Sequence, residues 1–196
     1  MTTKERILDE ALTLFAEKGY DGTSMDLIAE RVGIKGPSLY KHYKGKEEIL
    51  NALIDAAEER YEEYFGSEKN IGKLPENMEE FVQVTMGKIS FTMRDPMIRR
   101  IRMFLVQEQF RNDRLAEITT RHQLYGIQRM YTRIIEAMMN EGLFNKKDDP
   151  EMLAVELTAP AVLLIAGADR QPQCEKEILD SMEKHIRHFC AVYMKA

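Results

Sequence analysis

Two short apolar-faced segments meet at Gly33, and that junction constrains the chain more than any other stretch. On one side Met25, Ile28, Ala29 and Val32 recur at the 3.6-residue period of a helix. On the other, Pro37 suits a first helical turn, and Leu39 and Tyr43 share the inner face of a helix expected from about Gly36 to Tyr43. Gly33 supplies the left-handed conformation that so sharp a turn needs. Helices joined this tightly form a helix-turn-helix. Between Arg31 and Lys46 the chain has five Lys/Arg and no acid, although its net charge is −5. Such a local reversal of sign on a short second helix is the footprint of a nucleic-acid reader. The acidic remainder argues against indiscriminate coating of DNA.

The rest reads as an all-α protein of about nine or ten helices, a three-helix head followed by a larger helical body. Ile7, Ala11, Leu14 and Phe15 mark a first helix over Thr3–Lys18. Thr23 or Ser24 caps the second, with Asp26 three residues after Thr23 as in a capping box. A fourth helix opens at Lys46 and runs through Tyr64, packing Ile49, Leu50, Leu53, Ile54 and Ala57. The polar stretch Gly66–Pro75 connects to further helices at about 76–93, 96–110, 113–141, 150–168 and 174–194, with Gly126 a point where the long one divides. By role the division falls at 1–47 for DNA and 48–196 for effector binding and dimerisation.

The letters also carry a resemblance. The order T-S-x-x-x-I-A-x-x-x-G, then G-P-S-L-Y-K-H-Y, then K-E-E-I-L, resembles the TetR family of one-component transcriptional regulators over about the first 50 residues. The remainder is similar in length and helical layout. The resemblance implies that Ser38, Tyr40, Lys41 and His42 lie on the recognition helix. It implies base contacts for Pro37, Ser38 and Lys41, and phosphate contacts for Tyr40, His42 and Lys46. Thr23 or Ser24 would present a hydroxyl and backbone N–H groups to a further phosphate. Lys35 stands where relatives often carry Ser, and Asp26 where many carry Arg; we read Asp26 as a cap rather than a reader of cytosine.

Two further constellations follow. Leu153, Leu157, Ala161 and Leu164 line one face of the penultimate helix, and Val155, Val162, Leu163 and Ile165 extend its apolar surface nearly all round. Met182, Ile186, Phe189 and Tyr193 repeat at coiled-coil-like spacing on the last. We expect a homodimer through a four-helix bundle of these residues, as the resemblance implies, with two readers about one DNA turn apart, ~34–36 Å, on a palindromic operator. The middle of the chain supplies an apolar set with sparse polar handles for a small-molecule effector: Phe81, Thr85, Ile89, Met103, Gln107, Phe110, Gln123, Met130, Tyr131 and Ile134. Glu108 and Glu156 are polar residues near apolar faces, and Arg94, Arg99, Arg100 and Arg102 form a basic cluster.

Other classes fall away. No Gly-rich phosphate loop, G-x-S-x-G, H-E-x-x-H or Ser/His/Asp cue supports an enzyme, and no cofactor is expected. His185 and His188 share a face without a third metal ligand, so no metal is expected. Cys174 and Cys190 make no disulfide framework, and Cys174 lies in a Pro-flanked loop with weak grounds for a thiol sensor. The longest apolar run, Leu157–Ala168, is too short to span a bilayer, and the N-terminus has no signal-peptide core. The expectation is a cytoplasmic repressor with no membrane partner. The competing reading is a helical ligand carrier or enzyme whose basic patch binds an acidic partner.

Overall fold

The computed structural model describes residues 1–66 and 72–195. Among them the elements are helical: α1 Thr3–Lys18, α2 Met25–Val32, α3 Gly36–Tyr40, α4 Lys46–Phe65, α5 Met78–Arg94, α6 Pro96–Glu108, α7 Asp113–Thr120, α8 Ile127–Asn140, α9 Pro150–Arg170 and α10 Glu175–Tyr193. The expected all-α class holds, and the helix positions follow the apolar periodicity closely. Of the expected connection over Gly66–Pro75, residues 67–71 lie outside the described residues. The long segment divides as expected near Gly126, through a π-helical turn, Arg121–Gly126, that joins α7 to α8. Such turns widen the helix by one residue and recur at functional positions.

The chain forms two compact units. The first comprises Met1–Glu62 with Pro96–Ala116, the second Glu63–Asp95 with Glu117–Ala196. In the first, α1 begins with a complete capping box, Thr2 accepting from the Glu5 N–H while the Glu5 carboxylate accepts from Thr2. This satisfies two of the donors that a helix start leaves open. Its apolar stripe, including Ile7, Ala11, Leu14 and Phe15, is fully buried. Phe15 stacks on Phe104 of α6 at 5.4 Å between centroids. The Arg100 guanidinium bonds Asp9 at 2.6 Å, so α6 is bound to α1 by an aromatic stack and an ion pair. Near the start of α7, Arg114 pairs with Glu47 and Asn51 of α4.

The second unit is built on α5, α8, α9 and α10. Phe81 meets Tyr131, Phe144 and Phe189 in one aromatic cluster at its centre. Arg187 of α10 makes a two-pronged bond to Glu79 of α5, at 2.8 and 3.1 Å. His185 lies 3.2 Å from the Leu157 carbonyl, and the Tyr193 hydroxyl donates to Glu156 at 2.6 Å, so both link α10 to α9. Helix α9 is long and apolar enough to cross a membrane by composition. Its Leu153, Ala154, Leu157, Thr158 and Ala168 are nonetheless buried in this unit, with Ala161, Leu164 and Ile165 partly buried against the same core.

Candidate nucleic-acid interface

The turn between α2 and α3 is held from three directions. Gly33 sits at φ +76°, and nothing lies within 4 Å of the place a Cβ would take. Its N–H bonds the Glu30 carbonyl at 3.0 Å while the Ile34 N–H reaches back to Ala29 at 3.0 Å. That pair of bonds is a Schellman ending, which satisfies the last carbonyls of α2. Arg6 of α1 donates to the Val32 carbonyl at 2.6 Å, adding a cation at the negative end of α2. Arg31, counted in the acid-free run, pairs with Glu10 at 3.2 Å and Glu17 at 3.4 Å, so it braces α2 on α1.

The two hydroxyls before α2 have different roles. Ser24 is the cap, accepting from Leu27 N–H at 3.2 Å. Thr23 is buried and donates its hydroxyl inward, to the Leu14 and Gly19 carbonyls. Of the two, only Ser24 is exposed. The expected capping box with Asp26 does not form, because the register begins one residue later than Thr23 requires. The Asp26 carboxylate lies instead close to Gly36, 3.7 Å from the position of an added Cβ.

Helix α3 ends at Tyr40, not Tyr43. It has Pro37 in its first turn, no side-chain cap from Lys35, and only five residues. Two bonds to the Leu39 carbonyl, from His42 and Tyr43 N–H, carry the chain round into a turn. Leu39 and Tyr43 are buried as their spacing predicts. Lys35, Pro37, Tyr40, Lys41 and Lys44 are consequently exposed, with Ser38 and His42 half-buried beside them. Tyr40 shows 51% of its surface. Lys46 differs from this group: its ammonium donates to the Tyr20 carbonyl at 2.6 Å and lies 4.4 Å over the Tyr20 ring. Lys44 belongs with the exposed cations and was omitted from the expected contacts, although it stands in the same acid-free run. Its N–H is taken by Glu48 at 2.5 Å, which fixes the entry to α4.

A family model for bacterial regulatory proteins of the tetR family matches residues 7–53, which hold all of these contacts but that of Arg6. Over 52 residues the chain is 54% identical to IcaR of Staphylococcus epidermidis, a negative transcriptional regulator of the biofilm operon icaADBC, covering 26% of this chain and 28% of that protein. IcaR of Staphylococcus aureus is 56% identical over 51 residues, 26% of this chain and 27% of its own. The chain thus matches little more than a quarter of the length of these curated relatives. Across its whole length it has the fold of SmeT, the repressor of the Stenotrophomonas maltophilia multidrug efflux pump SmeDEF, with a TM-score of 0.72, 20% identity, and coverage of 100% of this chain and 92% of that one. MexZ, a repressor of Pseudomonas aeruginosa, gives 0.76 at 22% identity, over 96% and 93% of the two chains. Residues 7–53 thus match the tetR family, and the chain as a whole shares the fold of these solved structures.

The expected effector residues are divided between the two units. Phe81, Thr85, Ile89, Tyr131 and Ile134 are buried in the second unit, with Met130 and Gln123 half-buried there. Tyr131 shares a hydrogen bond with Thr85, and burial pushes its phenol up to about 12. Met103, Gln107 and Phe110 belong to the first unit. Phe110 is 90% exposed, so it lines nothing within its own unit. Glu108 is buried beside the Gly19 turn, and Glu156 is engaged by Tyr193. The basic cluster is dispersed: Arg94 pairs with Glu175 at 2.7 Å, Arg100 with Asp9.

Most of the residues expected at a dimer contact face the core of their own unit. Leu153, Leu157, Met182, Ile186 and Phe189 are buried within their own chain, covered by α5, α8 and each other. A side chain already removed from solvent offers no surface to a second copy. Ala161, Leu164 and Tyr193 are half-buried on the same cluster. The surface left open lies elsewhere on the same helices: Met152, Glu156, Ala159 and Leu163 on α9, and Ser181, Lys184, His188 and Val192 on α10. Leu163 is 68% exposed. Cys190 is buried, which pushes its thiol up to about 11, and Cys174 Sγ lies 3.6 Å from Gln171 Oε1.

Proposed function

We propose that this chain is a cytoplasmic repressor that binds a palindromic operator as a dimer and leaves it when a small molecule occupies the second unit. The observation that carries this reading is the exposed set Lys35, Tyr40, Lys41 and Lys44 with the half-buried Ser38 and His42 beside it, whose side chains make no hydrogen bond or ion pair with any described residue, on a turn braced by Gly33 and Arg6. An acidic chain that leaves these cations of its acid-free run without ion pairs among the described residues has chemistry suited to a polyanion. Pro37, Ser38 and Lys41 approach the bases; Tyr40, His42, Lys44 and the Ser24 end of α2 hold phosphates. Lys46 has donors to spare beyond its bond to Tyr20 and joins the phosphate set from a fixed position. Thr23 contributes through its place in the fold, not its hydroxyl.

Dimerisation uses the open stripe around Leu163 of α9 and Val192 of α10. It sets two readers about one DNA turn apart, ~34–36 Å, and that separation requires a palindrome. An effector with higher affinity for a form of different spacing shifts the population off DNA. The described repressors IcaR, SmeT and MexZ support repression as the outcome. Replacing both Lys41 and His42 with Ala tests the reader: operator binding should collapse while the circular dichroism spectrum is kept. Equal affinity of the double variant and the wild type would overturn the assignment.

A further inference from the structure

Lys88 is a cation on the wrong side of a helix. It shares the inner face of α5 with Phe81 and Thr85, and only 9% of it is exposed. Its ammonium lies 4.4 Å from the centre of the Phe65 ring. Phe65 in turn meets Phe91 edge-on at 5.2 Å, and Tyr64 stacks on Phe91 at 4.1 Å. Among the described residues Lys88 makes no hydrogen bond and no ion pair. A ring face recovers only part of the hydration such a charge gives up. The remainder is an uncompensated cost, since a buried ammonium ordinarily has a carboxylate or several acceptors around it.

Among the described residues Lys88 has no acceptor with negative charge. The same unit has a second buried donor in that condition, the Gln123 Nε2 in the π-helical turn, which has no partner among the described residues. Each of the two donors lacks an acceptor among the described residues. The walls decide the rest. One ammonium balances one negative charge, and the neighbouring surface is aromatic, with Tyr64 open to solvent at 56%. A phosphate would need several cations or a ring of N–H donors, and the nearest arginine on α5, Arg94, is committed to Glu175.

We infer that Lys88 is the anion-binding group of the effector site, and that the effector is an apolar monocarboxylic acid with its carboxylate on the Lys88 ammonium and its body against Tyr64, Phe65 and Phe91. This rests on the reading of the second unit as the effector-binding part. Burial alone pushes the Lys88 ammonium down to about 8, so it is mostly charged at neutral pH and is held there at a cost that an incoming carboxylate relieves.

The test uses the full chain without DNA. Naphthalene-2-carboxylate, its neutral carboxamide and decanoate are titrated calorimetrically at pH 7. The two carboxylates should bind at least tenfold more tightly than the carboxamide, and Lys88→Met should abolish that preference. Unchanged carboxylate affinity in the variant, or no binding of either carboxylate at millimolar concentration, overturns the inference. Trace acetylation of the wild type followed by peptide mass spectrometry gives the same answer without a substitution. Lys88 should be protected by the carboxylates and not by the carboxamide, and equal labelling in all three overturns it. If the carboxylates protect Lys88 but operator DNA is never bound, the site stands and the repressor reading fails. If operator is bound and Lys88 is never protected, the reverse holds.

Discussion

Lys41 and Lys88 are both lysines without an acid partner, and their opposite burial gives them opposite consequences. Lys41 is exposed, so its loss should leave folding unchanged and lower operator affinity by about 1–3 kcal/mol, with relaxed discrimination at one base pair. Competition between operator variants in fluorescence anisotropy reads both effects. Lys88 instead carries fewer protons folded than unfolded between about pH 8 and its ordinary 10.5. The folded chain is therefore penalised in full below that window, and the penalty fades as pH rises through it. Lys88→Met should stabilise the chain by about 2 kcal/mol more at pH 7 than at pH 11. Urea unfolding at the two pH values checks it, and an equal effect at both would contradict the burial argument. The sequence made Lys41 conspicuous through the acid-free run. Nothing in the letters distinguished Lys88, because a single lysine in an amphipathic helix reads as solvated until the neighbouring rings are known.

Helix α2 and its turn were legible because they obey local rules: a hydroxyl cap, an apolar period, and a glycine where φ must be positive. Gly33→Ala should cost about 1–2 kcal/mol in thermal or urea unfolding, a purely conformational penalty since the added methyl meets nothing. A neutral result would mean that the turn relaxes out of the left-handed region. Boundaries failed where local rules were weak. Helix α3 is too short to sustain itself, and without a cap from Lys35 it gives way to a turn after Tyr40. Thr23 lost the cap to Ser24 because its hydroxyl finds two buried carbonyls. The spacing of Met182, Ile186 and Phe189 correctly marked an apolar face on α10. Periodicity identifies a face that must be covered; it does not say whether the cover is α5 of the same chain or a second copy.

At the level of the whole molecule, the open stripe on α9 and α10 is the apolar surface left for the proposed dimer. Leu163→Arg should leave the fold intact, since the side chain is 68% exposed, and should convert the proposed dimer to monomer in light scattering. The same change should weaken operator binding by at least tenfold at fixed protein concentration, because half-sites are then engaged singly. Met182→Ala, by contrast, should cost about 2–5 kcal/mol of stability as a buried cavity, measured by urea unfolding. The central claim is that the turn from Gly36 to Lys46 selects a DNA sequence. Its most direct test is to titrate the wild-type protein onto a duplex from upstream of its own gene and onto a scrambled duplex, across a series of salt concentrations. The account predicts a preference on the order of 10³-fold or more for the upstream duplex, with affinity falling steeply as salt rises. Equal affinity for the two duplexes at moderate salt would contradict it.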